Sequence, residues 1–209
     1  MQRSEVIEFL DKIDRHTAKN YRTLLGQAKF ELRIIGKCAL VLAGMVDSVG
    51  TVDLDSLRVE GGVSLEVNQD IVDGLLAEVG KPRQMIHGYY LDFVAPAMVF
   101  LPQRQKWIAL EGDWSSLSVN YLERHQTIAS KLFSAFSKPP RKKDRQDIGA
   151  ALDQKVVGLQ KVLDEADHIF DFHSMDARND RFPDVFRYLN EELMPNYGGG
   201  RLRYRPQEE

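Results

Sequence analysis

The chain has 209 residues, is 43% hydrophobic and 28% charged, and carries a formal net charge of −3. That composition suits one globular domain, or a core with an appended part, and excludes collagen-like, low-complexity and disordered chains. A window near 18 uncharged apolar residues is lacking, the start Met1-Gln2-Arg3-Ser4-Glu5 is not a secretory signal, and the lone Cys38 suits a reducing cytoplasm.

In chain order, Ser4 can cap a helix running to about residue 27, with Val6, Leu10, Ile13, Tyr21, Leu24 and Leu25 mostly on one stripe. Residues 30–35 read as a short strand stopped at Gly36. Residues 38–43 read as a helix start packed on that strand, ending at Gly44. Gly50 marks a turn. Residues 52–57 alternate apolar and polar, as a half-buried strand does, and Val63, Leu65 and Val67 alternate again. Residues 71–78 look helical, with Asn68 or Asp70 as cap. Residues 88–93 and 97–101 read as strands separated by Pro96, and residues 107–110 as an edge strand. The pattern then turns helical over 122–136, which Pro139-Pro140 ends, and over 144–152, 155–169 and 182–193. Gly198-Gly199-Gly200 and the arginine-rich tail read as loose. The expected fold class is α/β (α+β): a mixed sheet flanked by helices over residues 1–115, then a helical region over 116–209.

The small net charge is a sum of unlike blocks. Residues 46–80 hold eight acids against one base, Arg58, and residues 121–145 hold seven bases against two acids. Such blocks either bracket a metal and a polyphosphate or form two solvated faces.

The chemistry concentrates at Asp53-Leu54-Asp55. On a strand, residues two apart share a face, about 6.6 Å apart at roughly 3.3 Å per residue. Both carboxylates then project together, while Leu54 packs inward. They can converge on one hard cation or on a close pair of cations. Just upstream, Ile35-Gly36-Lys37-Cys38 is a strand, a glycine turn and a helix start, which presents backbone N–H groups to an anion. Lys37 either adds a point charge for phosphate or is a solvated lysine. Thr51, two before Asp53, is otherwise an ordinary strand threonine.

Gly36-x-x-Ala39-Leu40 followed by Thr51-x-Asp53-Leu54-Asp55 resembles the first motif of nucleotidyltransferases of the polymerase-beta superfamily. The likeness is to the AbiEii-like branch, which includes toxins of toxin–antitoxin systems. Lys131-Leu132-x-x-Ala135, then Arg141-x-Lys143-Asp144-x-x-Asp147-Ile148, is similar to a second pattern of that branch. The two blocks span roughly residues 30–152.

The resemblance implies two Mg²⁺ ions held by Asp53 and Asp55, a nucleoside triphosphate bound near Gly36, Lys37 and Thr51, and in-line attack of a hydroxyl on the α-phosphate. It also implies a third carboxylate on a neighbouring strand. Asp92 is the candidate, as metal ligand and catalytic residue, and the other reading is an edge-strand aspartate facing water. Lys131 would pair with phosphates, or snorkel from a helix. Asp144 and Asp147 would orient lysine or arginine, with Asp144 otherwise an N-cap. The partners implied are a nucleoside triphosphate and an acceptor that is RNA, protein or a small molecule, with no membrane. The chain departs from the family at Lys37, where a second small residue is usual, at Val49, where many relatives carry arginine, and in a slightly long loop over 45–50. A catalytically inactive binding or regulatory protein on the same fold is the alternative.

Two weaker signals complete the reading. His168 and His173 stand near Asp167 and Asp171, but a spacing of five is not that of a helical zinc pair, so a solvated helix end is expected. Cys38 is expected to be a core thiol.

Overall fold

The structure is a computed structural model that describes residues 2–26, 28–47, 53–57, 59, 72–74, 90–94, 98–174, 179–198 and 200–205. It has the mixed α/β architecture expected from the sequence. The chain divides into two compact units, Met1–Ala95 with Trp107–Leu122, and Pro96–Lys106 with Glu123–Glu209. Among the described residues no helix is long and apolar enough to cross a membrane.

The first unit carries helices α1 (Arg3–Leu25) and α2 (Gly36–Leu42) and strands β1 (Phe30–Ile34), β2 (Asp53–Leu57), β3 (Tyr90–Phe93), β4 (Trp107–Ala109) and β5 (Leu117–Leu122). The strands stand in the order β3-β2-β1-β5-β4. β1 runs antiparallel to β2 and parallel to β5, β2 is parallel to β3, and β4 is antiparallel to β5. On β1, period-two alternation buries Phe30, Leu32 and Ile34 and leaves Glu31 and Arg33 on the other face. Helix α1 turns Val6, Phe9, Leu10 and Ile13 into the core at helical spacing. Burying each is worth about 1.5–3 kcal/mol.

Two expectations change here. Helix α1 is capped by Gln2, not Ser4, because Glu5, three residues on, accepts the Gln2 backbone N–H. Residues 117–122 form a strand, and the expected helix from 122 begins at Arg124. Leu117 and Val119 are buried while Ser118 and Asn120 are not, which is strand alternation. The carboxylate of Asp14 on α1 fixes where β5 enters, accepting the N–H of Ser116 at 2.7 Å and of Leu117 at 3.0 Å. The first unit therefore runs through Leu122, past residue 115.

The second unit is helical: α3 (Arg124–Ala135), α4 (Lys142–Asp153), α5 (Leu159–Phe172), α6 (Phe182–Tyr188), a π-helical turn over Leu189–Leu193, and α7 (Met194–Tyr197). Residues 98–101 are not a strand. Phe100 instead enters an aromatic core, 5.5 Å from Phe133 and 5.7 Å from Phe182 between ring centroids. Helix α5 starts after Gly158 rather than at 155, where Lys155 has φ +56°. The tail is anchored, not loose. Leu202 is buried, and Tyr204 stacks on Phe170 at 4.0 Å and 4°. Buried Asp167 accepts the backbone N–H groups of Arg203 and Tyr204. Residues 63–67, and all of 71–78 except the helical 72–74, lie outside the described residues.

Candidate functional site

The paired aspartates take the positions that strand alternation dictates. Asp53 and Asp55 are half-buried on β2, and Leu54 between them is fully buried. Parallel pairing with β3 places Asp92 opposite Asp55, Leu91 opposite Leu54 and Tyr90 opposite Asp53. Paired residues on neighbouring strands project to the same side, about 4.8 Å apart. Asp53, Asp55 and Asp92 thus share one sheet face, and Leu54 and Leu91 share the core face. Asp92 is half-buried, neither sunk in the core nor fully in water.

The glycine turn is tied to the same strand. The Ile35 N–H donates to the carbonyl of Asp55 at 3.0 Å. Gly36 opens α2 with φ +66°, and a Cβ there would lie 2.9 Å from Oδ2 of Asp55. Backbone conformation and the neighbouring carboxylate each demand glycine. Lys37 follows, half-buried in the first turn of α2. Cys38 is the expected core thiol, with Sγ donating to the carbonyl of Asp53 at 3.3 Å. Thr51 and Val49 lie outside the described residues.

Whether this face fits a divalent ion is a question of donors and of convergence. The donors are all carboxylate oxygens, the ligand class that Mg²⁺ takes. Strand register brings the three aspartates side by side. Among the described residues, however, no three His, Cys, Asp or Glu side chains are gathered as a preformed metal-binding group. The donor chemistry and the strand register fit a hard cation, while the three side chains are not gathered around one point.

The second sequence block forms a network in the second unit. Lys131 on α3 places Nζ 2.6 Å from Oδ1 of Asp144 and 3.0 Å from Oδ2 of Asp147 on α4. All three are buried, at 6%, 3% and 6% exposure, so the ion pairs are shielded from water. Ser134 donates its hydroxyl to Asp144 at 2.9 Å, and the more exposed Arg141 guanidinium approaches the same oxygen at 3.4 Å. Sequence reasoning brought the lysine and the two acids to one place but missed Ser134. Its signal was the three-residue step from Lys131, which puts both on one helix face. The lysine is therefore engaged with carboxylates.

At the start of α3, Glu123 caps the helix by accepting the N–H of His125 at 2.8 Å and of Gln126 at 3.3 Å. Burial pushes its carboxyl up, but the hydrogen bond and charge of the His125 ring and the two backbone N–H groups outweigh that and hold it below the ordinary value. Among the described residues the histidines and acids near the end of α5 are not gathered into one group. Asp167 is occupied by the tail, and His173 Nε2 lies 2.9 Å from the carbonyl of Leu101.

Compared with family models, characterised proteins and solved structures, the chain matches none.

Proposed function

We propose that the chain is a Mg²⁺-dependent nucleotidyltransferase of the polymerase-beta superfamily, similar to its AbiEii-like branch. It would move a nucleotidyl group from a nucleoside triphosphate to a hydroxyl of RNA, a protein or a small molecule. The observation that carries this reading is the register of β2 and β3, with Asp92 beside Asp55 and Asp53 on the same face. Core residues seldom need three acids aligned on one half-buried face, where like charges repel. Bound there, Mg²⁺ would neutralise triphosphate charge and stabilise the attacking and leaving oxygens. Asp53, Asp55 and Asp92 would hold it, fixed by strands whose intervening residues are locked in the core. Gly36 would let a phosphate approach the backbone beside Asp55. The basic run Arg141-Lys142-Lys143 leans toward an RNA acceptor, a cytoplasmic setting suits the single buried thiol, and the branch resembled suggests a role in a toxin–antitoxin pair.

The experiment is transfer of radiolabel from each α-labelled nucleoside triphosphate to total cellular RNA and protein with Mg²⁺. Label should appear on one acceptor class and vanish in Asp53→Asn and Asp55→Asn. Transfer that survives both substitutions would sink the reading.

The second reading is a non-catalytic partner or regulator on the same fold. It is favoured by the engagement of Lys131 with Asp144 and Asp147, which leaves the expected phosphate-binding lysine committed elsewhere. Absence of transfer, with no melting shift from any nucleotide and Mg²⁺, would select it.

A further inference from the structure

The second unit holds a pocket of about 620 Å³, away from the Lys131 network in its lining residues. That volume lies within the roughly 300–1,000 Å³ typical of small-molecule sites.

Its floor is polar and held in place. Gln126 is 1% exposed and donates Nε2 to the carbonyl of Arg104 and to Oε2 of Glu165, both at 2.9 Å. The Lys106 N–H donates back to Gln126 Oε1 at 2.7 Å. One buried amide thus fixes the 104–106 backbone against α5. Arg104 stands exposed on that fixed backbone and makes no ion pair among the described residues.

The wall is apolar where it meets solvent. Phe172 is 52% exposed, unusual for a phenylalanine, and lines the pocket. Its ring is braced edge-on against His173 at 4.8 Å, and His173 is itself held at the carbonyl of Leu101. Glu165, His168 and Phe172 fall on one stripe of α5 by their three- and four-residue steps. Asp171 adds a second carboxylate.

A flat ring, a cation without an ion-pair partner, an imidazole and two carboxylates line one small space. We propose that this pocket binds a nucleotide. The base would stack on Phe172, its amino or ring N–H groups would donate to Asp171, since Glu165 already meets Gln126 and Lys106, and the phosphate would meet Arg104 and His168. Phosphate alone would leave the ring surface uncovered, and a nucleoside would leave Arg104 without its anion. The same chemistry is offered by a free mononucleotide and by the end of a single strand. The proposal does not rest on the nucleotidyltransferase reading, because none of its residues belongs to the aspartate face.

The test is calorimetric titration of the full chain with each nucleoside monophosphate, a pentaribonucleotide, adenosine and inorganic phosphate. At least one nucleotide should bind, with adenosine and phosphate about tenfold weaker or worse. Phe172→Ala and Arg104→Gln should each weaken binding by about tenfold, the scale of one lost stacking or charged contact. Both side chains are exposed, so thermal melting should be unchanged. Asp53→Asn should leave this binding intact, which separates its failure from that of the proposed enzyme. Mononucleotides matching the pentamer would assign the pocket to free nucleotides, and binding of the pentamer alone would assign it to a strand end. Binding that ignores both pocket substitutions, phosphate binding as tightly as nucleotide, or no binding by any probe would overturn the proposal.

Discussion

Two sets of aspartates invite comparison: Asp53, Asp55 and Asp92 on β2 and β3, and Asp144 and Asp147 on α4. Asp53 and Asp55 follow from the two-residue step of a strand, with Asp92 joined by strand pairing, and Asp144 and Asp147 follow from the three-residue step of a helix. Their surroundings differ. The strand set is half-buried, and like charges stand side by side. The helix set is buried and meets an ammonium within 3.0 Å. Spacing selects a shared face, and burial with a counter-charge decides what that face is for. A buried acid matched by a lysine belongs to the architecture. On β2 and β3 the half-buried carboxylates stand side by side on one face, and the cation proposed above would offset their mutual repulsion.

The sharpest way to break this contrast is Lys131→Met. It removes the ammonium that both buried carboxylates meet, and should cost about 3–5 kcal/mol in denaturant unfolding. Wild-type stability in that variant would mean the helix set is as open as the strand set. Next in size is Asp167→Ala, which extends the contrast to a third buried aspartate. It removes the acceptor for two backbone N–H groups and for Arg203 Nε at 3.2 Å. About 2 kcal/mol should be lost, with release of residues 200–205 seen as faster amide exchange.

Most strands and helices were legible because their patterns are local. Residues 30–34 alternate, and Asp53-Leu54-Asp55 alone puts two carboxylates on one face, which Asp92 joins only through the β2–β3 pairing. Residues 117–122 also alternate, Leu-Ser-Val-Asn-Tyr-Leu, but Leu122 joins the helical pattern that follows and hid the strand's end. What places a helix start there is Glu123, a cap rather than a periodicity. Partner choice was not legible. The sequence shows that Lys131, Asp144 and Asp147 can meet, but desolvation of the whole group decides that the lysine is paired internally. The tail misled for the same reason. Three glycines predict looseness, while Asp167 and Phe170, more than thirty residues upstream, anchor it through contacts no local rule contains.

A middling effect is expected at Gly36→Ala. The left-handed conformation costs about 1–2 kcal/mol for a residue with Cβ, and the new atom meets Asp55 at 2.9 Å. Thermal unfolding would register it, and an Asp55→Gly partner substitution should recover only the contact part. Smaller again is Glu123→Ala, about 1 kcal/mol for a lost helix cap. Its pH dependence has a definite sign. The folded state holds this carboxyl below its ordinary value, so its contribution is complete above the ordinary glutamate range and fades as pH falls through the folded value. Stability of the wild type should therefore fall more than that of Glu123→Gln over that acidic window.

The smallest expected change is at Asp53→Asn, and it is the one that most sharpens the comparison. Substitution on a half-exposed face removes one of three like charges and keeps the side-chain shape, so the unfolding free energy should stay within about 0.5 kcal/mol or rise. The matched substitution Asp144→Asn takes a charge from beside Lys131 and leaves the buried ammonium with a single carboxylate partner, so it should destabilise. Run together in one denaturant series without added metal, Asp144→Asn should lose stability while Asp53→Asn does not. If Asp53→Asn destabilises as much as Asp144→Asn, the strand aspartates are structural and the proposed cation-binding face is lost with them.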